Sequence, residues 1–278
     1  GMARPLVPDD LWAAIEPLLP PPRPKPKGGR PPIPDRAALT GILFVLKSGI
    51  PWGSGHWPER CPPDGMRLGD ELLAPTRDWH AAGVWAALHR LLLERLHGAG
   101  QIDRRRAALD SASAPAKRGA RYRLEPNGPR QAGHKRHLVT DARGTPLGFA
   151  LSGANRHDSR MLAPTLDAIP PVRSGRRGRP RRRPNKLHAD KGYDDPRCRR
   201  ECRARGITPR IARRGIDSRE RLGRHRWVVE RTLAWLARFR RLTADTVRGT
   251  ASARADIHFA FTTLACALIC LNQIRRFC

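Results

Sequence analysis

The chain is short of acid. Its 278 residues include 25 Asp and Glu against 54 Lys and Arg, a formal surplus of +29. A folded protein so charged repels itself unless its working partner is a polyanion, and nucleic acid suits that balance. Long apolar runs are scarce as well. The stretch HFAFTTLACALICLNQI (258–274) is shorter than a membrane span and carries Thr262, Thr263, Asn272 and Gln273, so it reads as a buried core helix, and no membrane association is expected. No signal peptide is read at the N-terminus, where Gly1 before Met2 looks like the remnant of an expression tag. Cysteines are few and oddly spaced: Cys198 with Cys202 and Cys266 with Cys270 stand four apart, with Cys61 and Cys278 alone. Neither a secreted disulfide framework nor a common zinc pattern has that spacing, so reduced thiols of a cytosolic protein are expected. A zinc site from Cys198, Cys202 and a His is the less favoured alternative. No internal repeat is visible.

What is present is unevenly distributed. Residues 1–100 hold 12 basic and 10 acidic side chains, whereas residues 101–278 hold 42 and 15. The length suits two domains, and the patterning changes at about the same place. Before it, three stretches show helical spacing. They are PDDLWAAIEPLLPPP, with Asp9 or Asp10 as cap, DRAALTGILFVLKSGIPW, capped by Asp35 and ended by Gly49, and a single helix from about 76 to 97. A small helical domain over 1–100, of helix-turn-helix type, is expected to bind DNA ends. After it, residues 106–110, 134–141, 146–153 and 185–190 are short, apolar or alternating segments bounded by Gly, Pro and Asp, and read as strands. Helices are expected at DSRMLAPTLDAI (158–169), DPRCRRECRARGI and RHRWVVERTLAWLARFRRL. The expectation for 101–278 is a mixed α/β layer fold. The loop SGRRGRPRRRPN (174–185) is nearly all basic, so Arg176, Arg177, Arg179 and Arg181 are candidate DNA contacts, by minor-groove insertion or, more plainly, by loose phosphate binding.

Three acids stand out within the basic part. Asp110 and Asp190 each close an apolar strand-like run, where an open α/β sheet presents groups to a crevice, and Glu230 lies in the apolar helix RWVVERTLAWL. If the two strands are neighbours and the helix lies on the sheet, three carboxylates converge. Hard divalent cations take such oxygens, and a pair of them can activate water and steady the leaving oxygen of a phosphodiester. Each acid also has a local reading: Asp110 bonding the SAS turn, Asp190 the KGY turn, and Glu230 pairing with Arg226 or Arg231. The combination favours a metal site over three separate local roles. Lys191, Arg226, Arg231 and His188 are the nearest candidates for phosphate contacts, although His188 reads better as a strand residue facing the core. Asp158 reads as a helix cap. Trp12, Trp52, Trp79, Trp85 and Trp235 read as core, and Trp227, which could stack on a base, reads more readily as core too.

The segments ALDSASAPAKRG, ANRHDSRML, LHADKGYDD and RHRWVVERTLAWLARFRRL together resemble the DDE transposases of bacterial insertion sequences, in the insertion sequence five group. The resemblance takes in the N-terminal helices through GIPW and residue 106 to the last helix. It implies a ribonuclease H-like α/β catalytic domain over 101–278 and Mg²⁺ or Mn²⁺ held by Asp110, Asp190 and Glu230 as catalytic residues. Its substrates would be double-stranded DNA of element ends and target, in the bacterial cytoplasm at the nucleoid, with a homodimer pairing two ends. It also implies cleavage at terminal inverted repeats and joining of the freed 3′-hydroxyls to target DNA. Around the Glu, Arg226 fills the family's Arg position, while Gly223 and Ala237 stand where Tyr and Lys are usual, and Arg238 is placed to make the phosphate contact instead. The alternative is a catalytically inactive DNA-binding remnant or regulator of the element.

Overall fold

The computed structural model describes residues 5–21, 33–50, 72–115, 133–173, 175, 178–216, 219–243 and 251–277. Arg176, Arg177, Cys61, Cys278, Trp52 and the loop residues 116–132 lie outside them. Five strands form one sheet in the order β3-β2-β1-β4-β5. The first three, β1 (Ala107–Pro115), β2 (Gly133–Asp141) and β3 (Pro146–Gly153), make an antiparallel meander, and β4 (Lys186–Ala189) and β5 (Thr208–Ile211) add in parallel beside β1. Parallel neighbours require crossovers, and the chain supplies helices there. Between β3 and β4 it forms a 3₁₀ turn at Asp158–Met161 and then α5 (Leu162–Asp167), and between β4 and β5 it forms α6 (Pro196–Ala204). The mixed α/β expectation therefore holds, with one added strand, TPRI, whose sequence carries no strand pattern.

The helices before the sheet are α1 (Asp9–Ile15), α2 (Asp35–Ser48), α3 (Leu73–Ala81) and α4 (Val84–Gly98). The helix expected from 76 to 97 is two helices, because Gly83 adopts φ 76°, a conformation that ends one helix and redirects the next. Asp9 and Asp35 stand inside their first turns, where their charge suits the helix dipole, and Pro8 and Pro34 occupy the cap positions. After the sheet come α7 (Arg219–Ala237) and α8 (Ala251–Phe277).

One apolar core joins these parts, from Val7 and Leu11 through Leu88, Leu92 and Leu109 to Phe261, Leu264 and Leu271. Helix α8 packs on α3 and α4 and also reaches α7 and β3. It is the one described helix long and apolar enough to cross a bilayer by length and composition, and most of that surface is buried within the protein. Two polar ties reinforce the arrangement. His89 of α4 donates to the Pro146 carbonyl at 2.9 Å, and burial pushes its pKa down to about 4, which keeps the ring neutral. Arg275 in α8 binds Asp10 in α1 through Nε at 2.7 Å. The described cysteines, Cys198, Cys202, Cys266 and Cys270, are free and buried, as thiols whose burial raises their pKa.

What positions the site is the seat of α7. It crosses β1, β2 and β4, and it touches the β2–β3 turn closely enough that a Cβ on Gly144 would fall 2.8 Å from the Arg231 guanidinium. Buried Thr232 donates to the Gly144 carbonyl at 2.8 Å, fixing both the height and the rotation of the helix.

Candidate active site

β1 and β4 pair in parallel as far as Leu109 opposite Ala189, so the residues that follow, Asp110 in β1 and Asp190 just past the end of β4, are neighbours. Asp110 Oδ1 accepts the Ser111 N–H at 2.8 Å, and Asp190 caps the 3₁₀ turn Lys191–Tyr193 by accepting the Gly192 N–H at 2.9 Å. Both local bonds anticipated as alternatives are thus present, and each leaves carboxylate oxygen for other work. Above the two acids, α7 lowers Arg226, whose Nη2 lies 3.2 Å from Asp110 Oδ2 and 3.3 Å from Glu230 Oε1. One guanidinium therefore ties the first acid to the third. Burial raises the pKa of Asp110, and the charge of Asp190 adds to that; the Ser111 N–H and Arg226 oppose it without cancelling it. A desolvated carboxylate beside a second one calls for more positive charge than a single Arg supplies.

The three acids nevertheless do not form a closed ligand set. Among the described residues no three His, Cys, Asp or Glu side chains stand close enough together to hold a metal ion. In this structure Arg226 stands between the first acid and the third. Asp110 and Asp190 are adjacent, while Glu230, with 55% of its side chain exposed, is turned to Arg226 one helical turn away. The donor chemistry, hard carboxylate oxygens with one of them poorly compensated, still fits Mg²⁺ or Mn²⁺.

The other sequence candidates fare differently. Lys191 follows Asp190 directly and is half-buried at the site's edge. Arg231 braces α7 against its surroundings, donating to the Arg143 carbonyl at 2.6 Å and stacking against Trp227 and Trp235, 4.6 and 4.7 Å from their ring centres. Trp227 itself is 50% exposed, which corrects its expected place in the core. Arg238, Arg179 and Arg181 are exposed, and the backbone of Arg181 pairs with Val172 to close the basic loop. His188 faces α7 and is half-buried, with its ring 4.8 Å from that of His225.

Asp158 is not the cap that was expected. His157 caps that turn, and Asp158 binds Lys135 Nζ at 3.0 Å while its other oxygen lies beside Gly192, as the Asp190 carboxylate does. There His137, whose pKa burial pushes down to about 4, lies 2.9 Å from Ser152 Oγ and 3.4 Å from the buried Tyr193 hydroxyl. This polar layer underlies the Asp190 turn through Tyr193. Its sequence signal, Lys135 and His137 two apart in HKRHLVTD, is visible only as strand patterning.

Comparison with known proteins gives the chain a family. The "Transposase DDE domain" family matches residues 101–266, and "Putative transposase of IS4/5 family" matches residues 7–89. The chain belongs to the DDE transposases. This transposase is 45% identical over 217 residues to the "Putative transposase for insertion sequence element IS402" of Burkholderia cepacia, covering 76% of this chain and 98% of that one. It is 26% identical over 178 residues to the "Transposase for insertion sequence element IS1106" of Neisseria meningitidis serogroup B, covering 60% of this chain and 55% of that one. A second Burkholderia cepacia protein, the "Insertion element IS402 uncharacterized 16.2 kDa protein", is 51% identical over 119 residues, 41% of this chain and 76% of that protein.

Proposed function

We propose that the transposase cleaves DNA at the terminal inverted repeats of an insertion sequence and joins the freed 3′-hydroxyls to target DNA, using Asp110, Asp190 and Glu230 on a ribonuclease H-like sheet. The observation that carries this reading is the parallel pairing of β1 with β4, which ends one residue before Asp110 and Asp190, with Arg226 of α7 reaching from Asp110 to Glu230. The three carboxylates would hold Mg²⁺ or Mn²⁺, which when bound activates the attacking oxygen and steadies the leaving one. Asp110 and Asp190 are fixed by backbone N–H groups and define the floor of the site. Glu230, exposed and on a helix, completes it by leaving Arg226. Arg226 is then released toward a phosphate, its fork suited to two phosphate oxygens. Lys191 and Arg238 flank the strand being cut, and Arg179, Arg181, Arg176 and Arg177 add backbone affinity from the basic loop, whereas Arg231 supports α7. The helices of residues 1–100 read the element ends, and two copies pair them in the cytoplasm at the nucleoid.

The test is incubation of the protein with Mg²⁺ and duplex DNA bearing the terminal repeats. Cleavage followed by strand transfer, lost in Asp110→Ala, Asp190→Ala and Glu230→Ala, is expected. Tight binding with no cleavage by the unaltered protein would instead make it a regulator, and cleavage of any DNA without joining would make it a nuclease.

A further inference from the structure

The face of the sheet under α7 carries more than the acids. Parallel register sets Ala107 opposite Leu187 and Ala108 opposite His188, and β4 sets His188 opposite Arg210 of β5. Side chains alternate between faces, so those that share the α7 face with Asp110 and Asp190 are found two and four residues earlier on each strand. They are His188 with Arg210, and Arg106 with Lys186. Helix α7 adds His225, whose Nδ1 lies 3.0 Å from the Arg106 guanidinium. Arg can only donate, so His225 accepts at Nδ1 and its ring is neutral.

These five side chains surround a cavity of about 480 Å³. The acid on its rim, Asp103, is engaged by Arg105 at 2.8 Å, which holds that carboxyl below its ordinary range. Lys186 and Arg210 are exposed and have no ion pair among the described residues that would neutralise them. His188 stands among them, its ring 4.8 Å from that of His225. Four separate elements thus converge cationic or donor groups on a hollow with little negative charge in it, and a run of basic sequence does not explain that.

We infer that this cleft, formed by Arg106, Lys186, Arg210 and His225, seats backbone phosphates that neighbour the scissile one on the DNA strand cut at Asp110. The acidic and basic rows are spaced by strand geometry at about 7 Å per two residues, so a strand whose scissile phosphate reaches Asp110 and Asp190 continues over the basic rows. This inference rests on DNA being the substrate of the neighbouring acids. It adds a fixed seat that sets which phosphate arrives there, which phosphate contacts do by fixing register and orientation.

The test is equilibrium binding of the full chain to a duplex carrying the terminal repeat, in EDTA so that nothing is cut, across a KCl series. The substitutions Lys186→Gln and Arg210→Gln together, at exposed positions, are expected to leave the melting temperature unchanged. They should reduce the slope of log affinity against log salt by roughly two, at about 0.9 per phosphate contact. Arg200→Gln with Arg203→Gln, an equal loss of charge on the exposed side of α6, is expected to change that slope by much less. Neutral methylphosphonates placed singly along the strand then locate the seat: one or two positions should weaken the unaltered protein and leave the Lys186→Gln/Arg210→Gln protein indifferent. Equal slopes for both variant pairs, or no position with that selectivity, would overturn the seat and leave only a diffuse positive field. Because no cleavage is read, these results stand apart from the catalytic test: a protein that cuts at Asp110 with an unchanged slope refutes the seat alone.

Discussion

Asp110 is held in a condition that costs the fold something. Its carboxyl is buried and its pKa raised, so the stability linked to it is fully present below the ordinary value of 3.8 and is lost as pH rises through the raised folded value. At neutral pH the ionised side chain is therefore a burden. Asp110→Asn is expected to melt at the same temperature as the unaltered protein or a few degrees higher at pH 7 in EDTA. Adding Mg²⁺ should raise the melting temperature of the unaltered protein and not that of the variant; thermal scans of both, with and without the ion, check this. A clear loss of stability in EDTA would mean that the Arg226 pair outweighs the burial. All three acids were legible in the sequence because each interrupts an apolar run in a basic region. Their actual partners were partly legible too, since Arg226 lies four residues before Glu230 on one helix. Hidden was that the same guanidinium reaches Asp110, 116 positions away, a contact that only the docking of α7 creates.

At the scale of elements, α7 is placed by one buried hydroxyl. Thr232 donates to the Gly144 carbonyl at the tightest point of the turn, so Thr232→Val keeps the shape and removes the bond. A loss of about 1–2 kcal/mol is expected, or a melting temperature lower by roughly 2–8 °C, with DNA cleavage falling further because Arg226 and Glu230 ride on the same helix. Calorimetry alongside a cleavage assay measures both. Four strands were legible from their alternation and flanking turns. β5 was not, because TPRI has four residues, a proline and one buried position, and it is a strand only because β4 offers it an edge. The break at Gly83 was hidden for a similar reason: apolar spacing continues in register through DWHAAGVWAAL, and only the backbone angle separates the helices. Trp227 was misplaced because spacing along a helix says which residues share a face and not which face is covered. The basic rows under α7 needed the register of two strands 80 positions apart, which no local pattern carries.

For the whole molecule, the two halves that composition separates are joined by a common core. Full-length protein is accordingly expected to unfold in one calorimetric transition, and a fragment of residues 101–278 to be insoluble or molten, having lost the cover of α3 and α4 over α8. Two resolved transitions, or a soluble fragment with native-like melting, would show the halves to be independent. The surplus of +29 predicts DNA binding that weakens by orders of magnitude as salt rises, measurable by anisotropy on any duplex. The tie between Asp10 and Arg275 spans 265 positions, and it has a consequence in time. Synthesis runs at roughly 5–20 residues per second, from the first residue onward. The helices of the first hundred residues therefore emerge well before α8, and at those rates they wait on the order of ten seconds for the surface that covers them. Any copy of the gene that loses its last stretch makes a chain whose earliest helices never find cover, so damage at the far end would be felt as failed folding of the beginning. Messages cut short would then yield little protein able to bind an end without cutting it.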